Sequence, residues 1–167
     1  FLVDNRAIVL DKAQIGWLIG VPVLTGSIMR LPVGMLTDRF GGKPVYIGVL
    51  LFSSISAYLT SYASTYGQFL LCGLLFGMSG AAFAVGIAYS SVWFPKERQG
   101  LALGIFGVGN AGAAVTTLCA PLILKTLTEN GQNLEGWRDL PKLYALALLA
   151  IAVIFSFTTV NRRVEGG

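Results

Sequence analysis

The chain is 167 residues long, 54% apolar and only 12% charged, with a mean hydropathy of +0.71; a water-soluble domain carries about 25% charged residues, so a soluble globule is excluded. It has no His, and its two cysteines, Cys72 and Cys119, lie inside apolar runs, which excludes His/Cys metal centres and Ser–His or Cys–His hydrolases. A net charge of +4, dispersed among loops without a basic run, fits the loops of a membrane protein better than a nucleic-acid surface.

The apolar residues collect into long uncharged runs, so the expected solvent is a lipid bilayer. Pro44 to Pro95 is 52 consecutive residues without a charge. As one helix this run would measure roughly 78 Å against a hydrocarbon core of about 30 Å, so it must cross and return. Five spans are predicted. The first covers about 15–36 and is interrupted only by Arg30; the second covers about 45–61. A turn-like stretch from Ser61 to Gly67 leads into a third span over about 68–93. The fourth covers about 100–124, and the fifth about 143–160, just behind Pro141, which suits the first turn of a helix. These lengths fit helices and not barrel strands, so the predicted class is an all-α, polytopic helix bundle. The polar stretch Lys125 to Lys142, with Asn130-Gly131, Gly136 and Pro141, reads as an external loop in which Trp137 and nearby Tyr144 anchor at the headgroup level.

Five spans put the two chain ends on opposite sides of the membrane. The chain begins Phe1-Leu2-Val3-Asp4, with neither an initiator Met nor a basic signal-peptide region, so it is expected to be part of something longer. Arg39, Lys43, Lys96, Arg98, Arg162 and Arg163 fall on one side; Arg6, Lys12, Lys125, Arg138 and Lys142 fall on the other. The narrow excess favours the first side as cytoplasmic.

Immediately after the first predicted span comes Gly34-Met35-Leu36-Thr37-Asp38-Arg39-Phe40-Gly41-Gly42-Lys43. It resembles the signature loop G-x-L-x-D-R-x-G-[RK]-[RK] of major facilitator superfamily transporters, matched at Gly34, Asp38, Arg39, Gly41 and Lys43, with Gly42 in place of the first basic residue. Locally, Gly34 would let another helix come close, Asp38 could accept from backbone N–H groups at a helix N-terminus, and the basic residues would stay among headgroups. The resemblance puts this loop in the cytoplasm. It makes the spans helices two to six of a twelve-helix carrier, so that residues 1–167 form a partial N-terminal six-helix bundle lacking its first helix and the C-terminal bundle.

The fourth span contains Gly104-Ile105-Phe106-Gly107-Val108-Gly109-Asn110-Ala111-Gly112, followed by Pro121. Four glycines in nine residues weaken a helix by about 1 kcal/mol each against Ala, so the run suits a place where backbones touch or a small anion needs room. Asn110 adds an amide that needs a partner in hydrocarbon, as an anion donor or as interhelical glue. The run resembles the nitrate signature of the nitrate/nitrite porter family, which implies that Gly107, Gly109 and Asn110 line the anion path. Gly107 to Gly112 also fits G-x-G-x-x-G, but no strand precedes it and no acidic residue follows in an αβ unit, so dinucleotide binding is rejected.

Gly73, Gly77, Gly80, Ala81 and Ala84 at helical spacing read as a close-packing seam on the third span. Phe83 stands among them; by the resemblance it matches an aromatic that stacks on the substrate anion, and otherwise it is a core residue. Arg30 is the only charge well inside a span, six residues before Leu36. Intramembrane ionisable groups usually mark a pathway, although a long side chain could also snorkel. The resemblance implies that Arg30 binds nitrate, whose planar oxygens match the guanidinium fork, and that a second Arg stands in the absent half.

What the resemblance implies is secondary transport of nitrate or nitrite by alternating access in a prokaryotic inner membrane, with the bilayer and the absent half as partners and protons as a candidate coupling ion. No cofactor, metal or nucleic acid enters this reading, and an enzyme is disfavoured because no span holds a carboxylate or His to move protons. A carrier for another small anion such as formate or oxalate, or a non-transporting membrane interaction subunit, would share most of these features.

Overall fold

The computed structural model describes residues 10–129 and 132–161. Among these every regular element is helical. Five stretches are long and apolar enough to cross a membrane: Lys12–Phe40, Gly42–Thr60, Tyr66–Ser90, Lys96–Leu127 and Glu135–Thr158. The all-α, multi-pass class expected from composition is the one observed. Large apolar side chains face outward, with Leu31 74% and Phe157 86% exposed, as a surface solvated by lipid tails allows.

Helix α1 (Lys12–Phe40) starts at a capping box: the Asp11 side chain accepts from the Lys12 amide, and the Gln14 side chain accepts from the Asp11 amide. It ends at Gly41, whose φ of +89° suits a residue without Cβ and whose N–H donates to the Thr37 carbonyl. Helix α2 (Gly42–Thr60) follows at once. The charged signature from Gly34 to Arg39 is therefore the last part of α1 and not a loop, a correction to the expected end near 36. Charged side chains at a helix end reach interfacial water, and Arg39 in the last turn complements the helix dipole, so polarity there does not stop the helix.

The third span is α3 (Tyr66–Gly77), a 3₁₀ turn (Met78–Ala81) and α4 (Ala82–Trp93). Thr65 and Gln68 form its capping box. The fourth is α5 (Lys96–Val108) and α6 (Ala111–Leu127), and the fifth is α7 (Asp139–Thr158) with Pro141 in its first turn, as expected. The predicted external loop is shorter than its polarity suggested, because α6 runs to Leu127 and Leu134–Arg138 is a 3₁₀ turn; Asn130 and Gly131 lie outside the described residues. Trp137 is not an exposed anchor. It is 8% exposed, with its ring 5.7 Å from Phe69 and the Arg138 guanidinium 4.8 Å above it.

Two seams hold the bundle. α1 and α3 run parallel and cross on the predicted glycine stripe: a Cβ at Gly26 would lie 2.7 Å from the Gly77 carbonyl oxygen, one at Gly77 would lie 2.5 Å from that of Pro22, and one at Gly80 would lie 3.3 Å from the Gly26 Cα. Without hydrophobic drive between helices in lipid, such close backbone approach supplies the van der Waals attraction. Just beyond, Val33, Ala81 and Val85 form a small core ringed by Met29, Val45, Tyr46 and Val49. α2 and α7 run antiparallel, and between them the hydroxyl of buried Ser54 donates to the carbonyl of buried Ala145 at 2.7 Å. By contrast, every residue from Ala111 to Cys119 on α6 is exposed. Of the two cysteines in apolar runs, Cys72 is buried and Cys119 is exposed.

Candidate functional site

α1 has two faces. Pro22, Gly26, Met29, Val33 and Thr37 pack inward, wholly or partly buried, whereas Gly16, Gly20, Val23, Ser27 and Arg30 are exposed and Gly34 is half-buried. The second set repeats at alternating steps of four and three, so it forms one stripe. A Cβ at Gly16, Gly20 or Gly34 would meet nothing within 4 Å, so Gly34 provides no close helix approach among the described residues. Arg30 stands on this open stripe and makes no hydrogen bond or ion pair with a described residue. Since α1 continues to Phe40, Arg30 lies ten residues from the helix end, about 15 Å along the axis, rather than the roughly 9 Å that an end at Leu36 implied.

Phe83 and Asn110 lie near this level. Gly26 meets Gly80 across the parallel crossing; one turn further along each helix stand Arg30 and, three residues on, Phe83. The half-buried Phe83 ring is 5.4 Å from the Phe106 ring of α5, and Phe106 fills the notch at Gly86, where its ring carbons would lie 2.1–3.1 Å from an added Cβ. Sequence reading passed over Phe106 and Gly86; an aromatic within a glycine run was the available signal. α5 runs antiparallel to α4, so Asn110, one turn beyond Phe106, comes level with the 3₁₀ turn Met78–Ala81. No hydrogen bond or ring contact joins Arg30, Phe83 and Asn110 among the described residues.

The glycine run is itself a break in the span. Gly109, Asn110, Gly112 and Ala113 donate to carbonyls three residues back, at Phe106, Gly107, Gly109 and Asn110, so the helix tightens between α5 and α6. Gly109 and Asn110 are exposed, Gly107 is half-buried, and a Cβ at Gly104, Gly107 or Gly112 would meet nothing within 4 Å. Among the described residues Gly104, Gly107 and Gly112 line open space, whereas a Cβ at Gly109 would lie 3.0 Å from the Phe106 carbonyl oxygen of its own span. An open apolar cavity of about 560 Å³ lies elsewhere, between the end of α1 and α2, lined in part by Val33, Leu36, Phe40, Val45 and Val49; Arg30, Phe83 and Asn110 do not line it.

At the opposite end of α1 from its cap, the remaining motif residues meet the end of α7. Lys43 is half-buried and donates to the Ser156 and Thr159 carbonyls at 2.7 and 2.6 Å, partners that its sequence motif did not announce. Buried Gly41 lies under the Asn161 side chain, which donates to the Phe40 carbonyl, and Gly42 is covered by the Tyr89 ring, whose hydroxyl donates to the Val160 carbonyl. Asp38 and Arg39 are exposed; Asp38 caps no described helix, and the Arg39 guanidinium lies 5.5 Å from the Phe40 ring.

The chain's similarities agree with this architecture. The Major Facilitator Superfamily model matches residues 5–166. The chain is 42% identical over 154 residues to a probable nitrate/nitrite antiporter, NarK1, of Thermus thermophilus, covering 90% of this chain and 35% of that protein. It is 33% identical over 153 residues to a probable nitrate transporter, NarT, of Staphylococcus carnosus strain TM300, covering 92% and 37%. With a nitrite extrusion protein of Bacillus subtilis strain 168 it shares 31% identity over 145 residues, covering 87% and 35%. The chain thus spans a little over a third of the length of these relatives, all named as transporters and none as an enzyme. Five apolar spans, the Gly34–Lys43 signature and a family match over almost every residue make this chain a member of the major facilitator superfamily.

Proposed function

We propose that the chain is helices two to six of a carrier that moves nitrate or nitrite across a prokaryotic cytoplasmic membrane by alternating access, and that Arg30 holds the anion. The observation that carries the proposal is the position of Arg30: well inside a span, on an exposed stripe of small residues, with no described partner, and near the level of Phe83 and Asn110 along the bundle. A charged side chain there disfavours insertion by at least roughly 2.5 to 3.5 kcal/mol, which an anionic ligand would offset. The names of the relatives supply the substrate class. A guanidinium fork grips two oxygens of a planar trigonal anion at once. Gly107 and Gly109 leave room, Asn110 offers an amide donor, and Phe83 offers a ring face. The other half of the carrier supplies the remaining walls and a second cation, and Gly34, Asp38, Arg39, Gly41 and Lys43 serve the conformational change. Proton coupling would accompany the symport variant of this mechanism.

Arg30→Lys in the intact carrier, at matched expression, tests the reading through nitrate uptake and nitrate-dependent thermal stabilisation. Lysine keeps the charge and loses the fork. Truncating a buried charge-assisted contact weakens binding by about 2 to 5 kcal/mol, or tens- to thousands-fold, so nitrate affinity should collapse while insertion persists. Equal affinity in the two proteins removes Arg30 from the site. Competition by formate or oxalate as strong as by nitrate moves the substrate class to other small anions.

A further inference from the structure

We propose that Lys43 and Arg138 are a reciprocal clasp that fastens α2 and α7 into one rigid body at both membrane faces. Each cation stands at the start of its own helix and binds carbonyls at the end of the other. Lys43, in the first turn of α2, donates to Ser156 O and Thr159 O, at the last turn and C-cap of α7. Arg138, the N-cap of α7, donates to Ser61 O at 2.6 Å and Ala63 O at 3.1 Å, just past the end of α2, and to the Ser64 hydroxyl at 3.1 Å. Glu135 accepts from the Arg138 Nε, and the Trp137 ring lies beneath the guanidinium, so the fork is held in place from its own side.

Helix ends leave carbonyls without intrahelical donors, and the negative end of the dipole lies there, so a cation is the matching cap. Lys43 fits as a compact ammonium with three donors between two carbonyls; Arg138 fits as a planar fork serving several acceptors. Because α2 and α7 are antiparallel, sliding one along the other displaces both clasps together. Ser54 to Ala145 adds a tie in mid-span, and Tyr46 packs on Phe155 with ring centroids 4.9 Å apart. The ends of α1 and α4 are secured to the same body through Asn161 on Phe40 and Tyr89 on Val160. The clasp stands on these contacts alone and does not depend on the transport reading.

Hydrogen–deuterium exchange on the intact carrier in lipid nanodiscs tests it, because each cation protects a distant helix. Lys43→Met should raise deuterium uptake several-fold over residues 152–161, whose Ser156 carbonyl is 113 positions away in sequence, and leave 56–64 unchanged. Arg138→Met should do the reverse. Lys43→Arg, which keeps a donor for both carbonyls, should restore the wild-type pattern at 152–161. Increases confined to the mutated helix, equal increases at both ends, or no change would each overturn the clasp; a general loss of stability gives the second pattern and not the crossed one.

Discussion

Gly77→Ala probes the α1–α3 seam at its tightest point. A Cβ there would lie 2.5 Å from the Pro22 carbonyl oxygen and 2.8 Å from its Cα, both backbone atoms, so no side chain can rotate away. Ordinary contact begins near 3.4 Å, so the helices must part by about 0.9 Å on the same scale of distances. A radial gap of that size forfeits about a quarter to a half of each dispersion contact, and it opens at Gly26 and Gly80 as well. Overpacking of this kind destabilises by about 1 to 3 kcal/mol, which for a chain of this length lowers Tm by roughly 2 to 12 °C. Gly20→Ala is the control, because an added Cβ there meets nothing within 4 Å and Ala is the better helix former. Thermal unfolding in one detergent should separate the two variants clearly, and Gly26→Ala with Gly77→Ala should cost less than the sum, since one separation relieves both clashes. A Gly77→Ala protein as stable as Gly20→Ala would refute the seam.

Ser54→Ala removes the hydroxyl that reaches Ala145 across α2 and α7; interhelical bonds of this type average about 0.6 and reach about 1.7 kcal/mol, so a small loss of thermal stability is expected, and an unchanged Tm would mean the bond contributes nothing. For topology, Glu97→Cys and Gln132→Cys replace exposed residues at opposite ends of the bundle, whereas Gly42 has no room for a side chain beneath Tyr89; in intact cells an impermeant thiol reagent should label position 132 and spare 97, and the opposite pattern would invert the orientation.

The number and class of the spans were legible because uncharged length is a strong signal and lipid leaves the backbone few options. Helix ends were less so. Asp38 and Arg39 look like a loop yet complete the last turn of α1, since polarity marks the interface and not the end of a helix. The stripe Gly73, Gly77, Gly80 was readable, but its partners Pro22 and Gly26 were not, because small residues announce closeness without saying to what. The partners of Lys43 and Arg138 were not legible for a related reason: their acceptors are main-chain carbonyls, which every residue carries and no sequence pattern distinguishes. At the candidate site, Arg30 was conspicuous as a lone charge in an apolar run, whereas Phe106 was visible only once Gly86 was found to hold its ring.

The 3₁₀ turn Met78–Ala81 also acts as a vernier. Four residues at about 2.0 Å rise, among 24 at about 1.5 Å in α3 and α4, give the third span about 44 Å with one residue fewer than α1, whose 29 residues measure about 43.5 Å. Two parallel neighbours of unequal residue count thereby reach nearly the same length. The same four residues each turn about 20° further than α-helical ones, so α4 leaves the turn advanced by roughly 80° relative to an unbroken helix. The bearing of Phe83 is set by that phase, and a single residue added to or removed from the turn would swing its ring away from Phe106 without altering any side chain of the site.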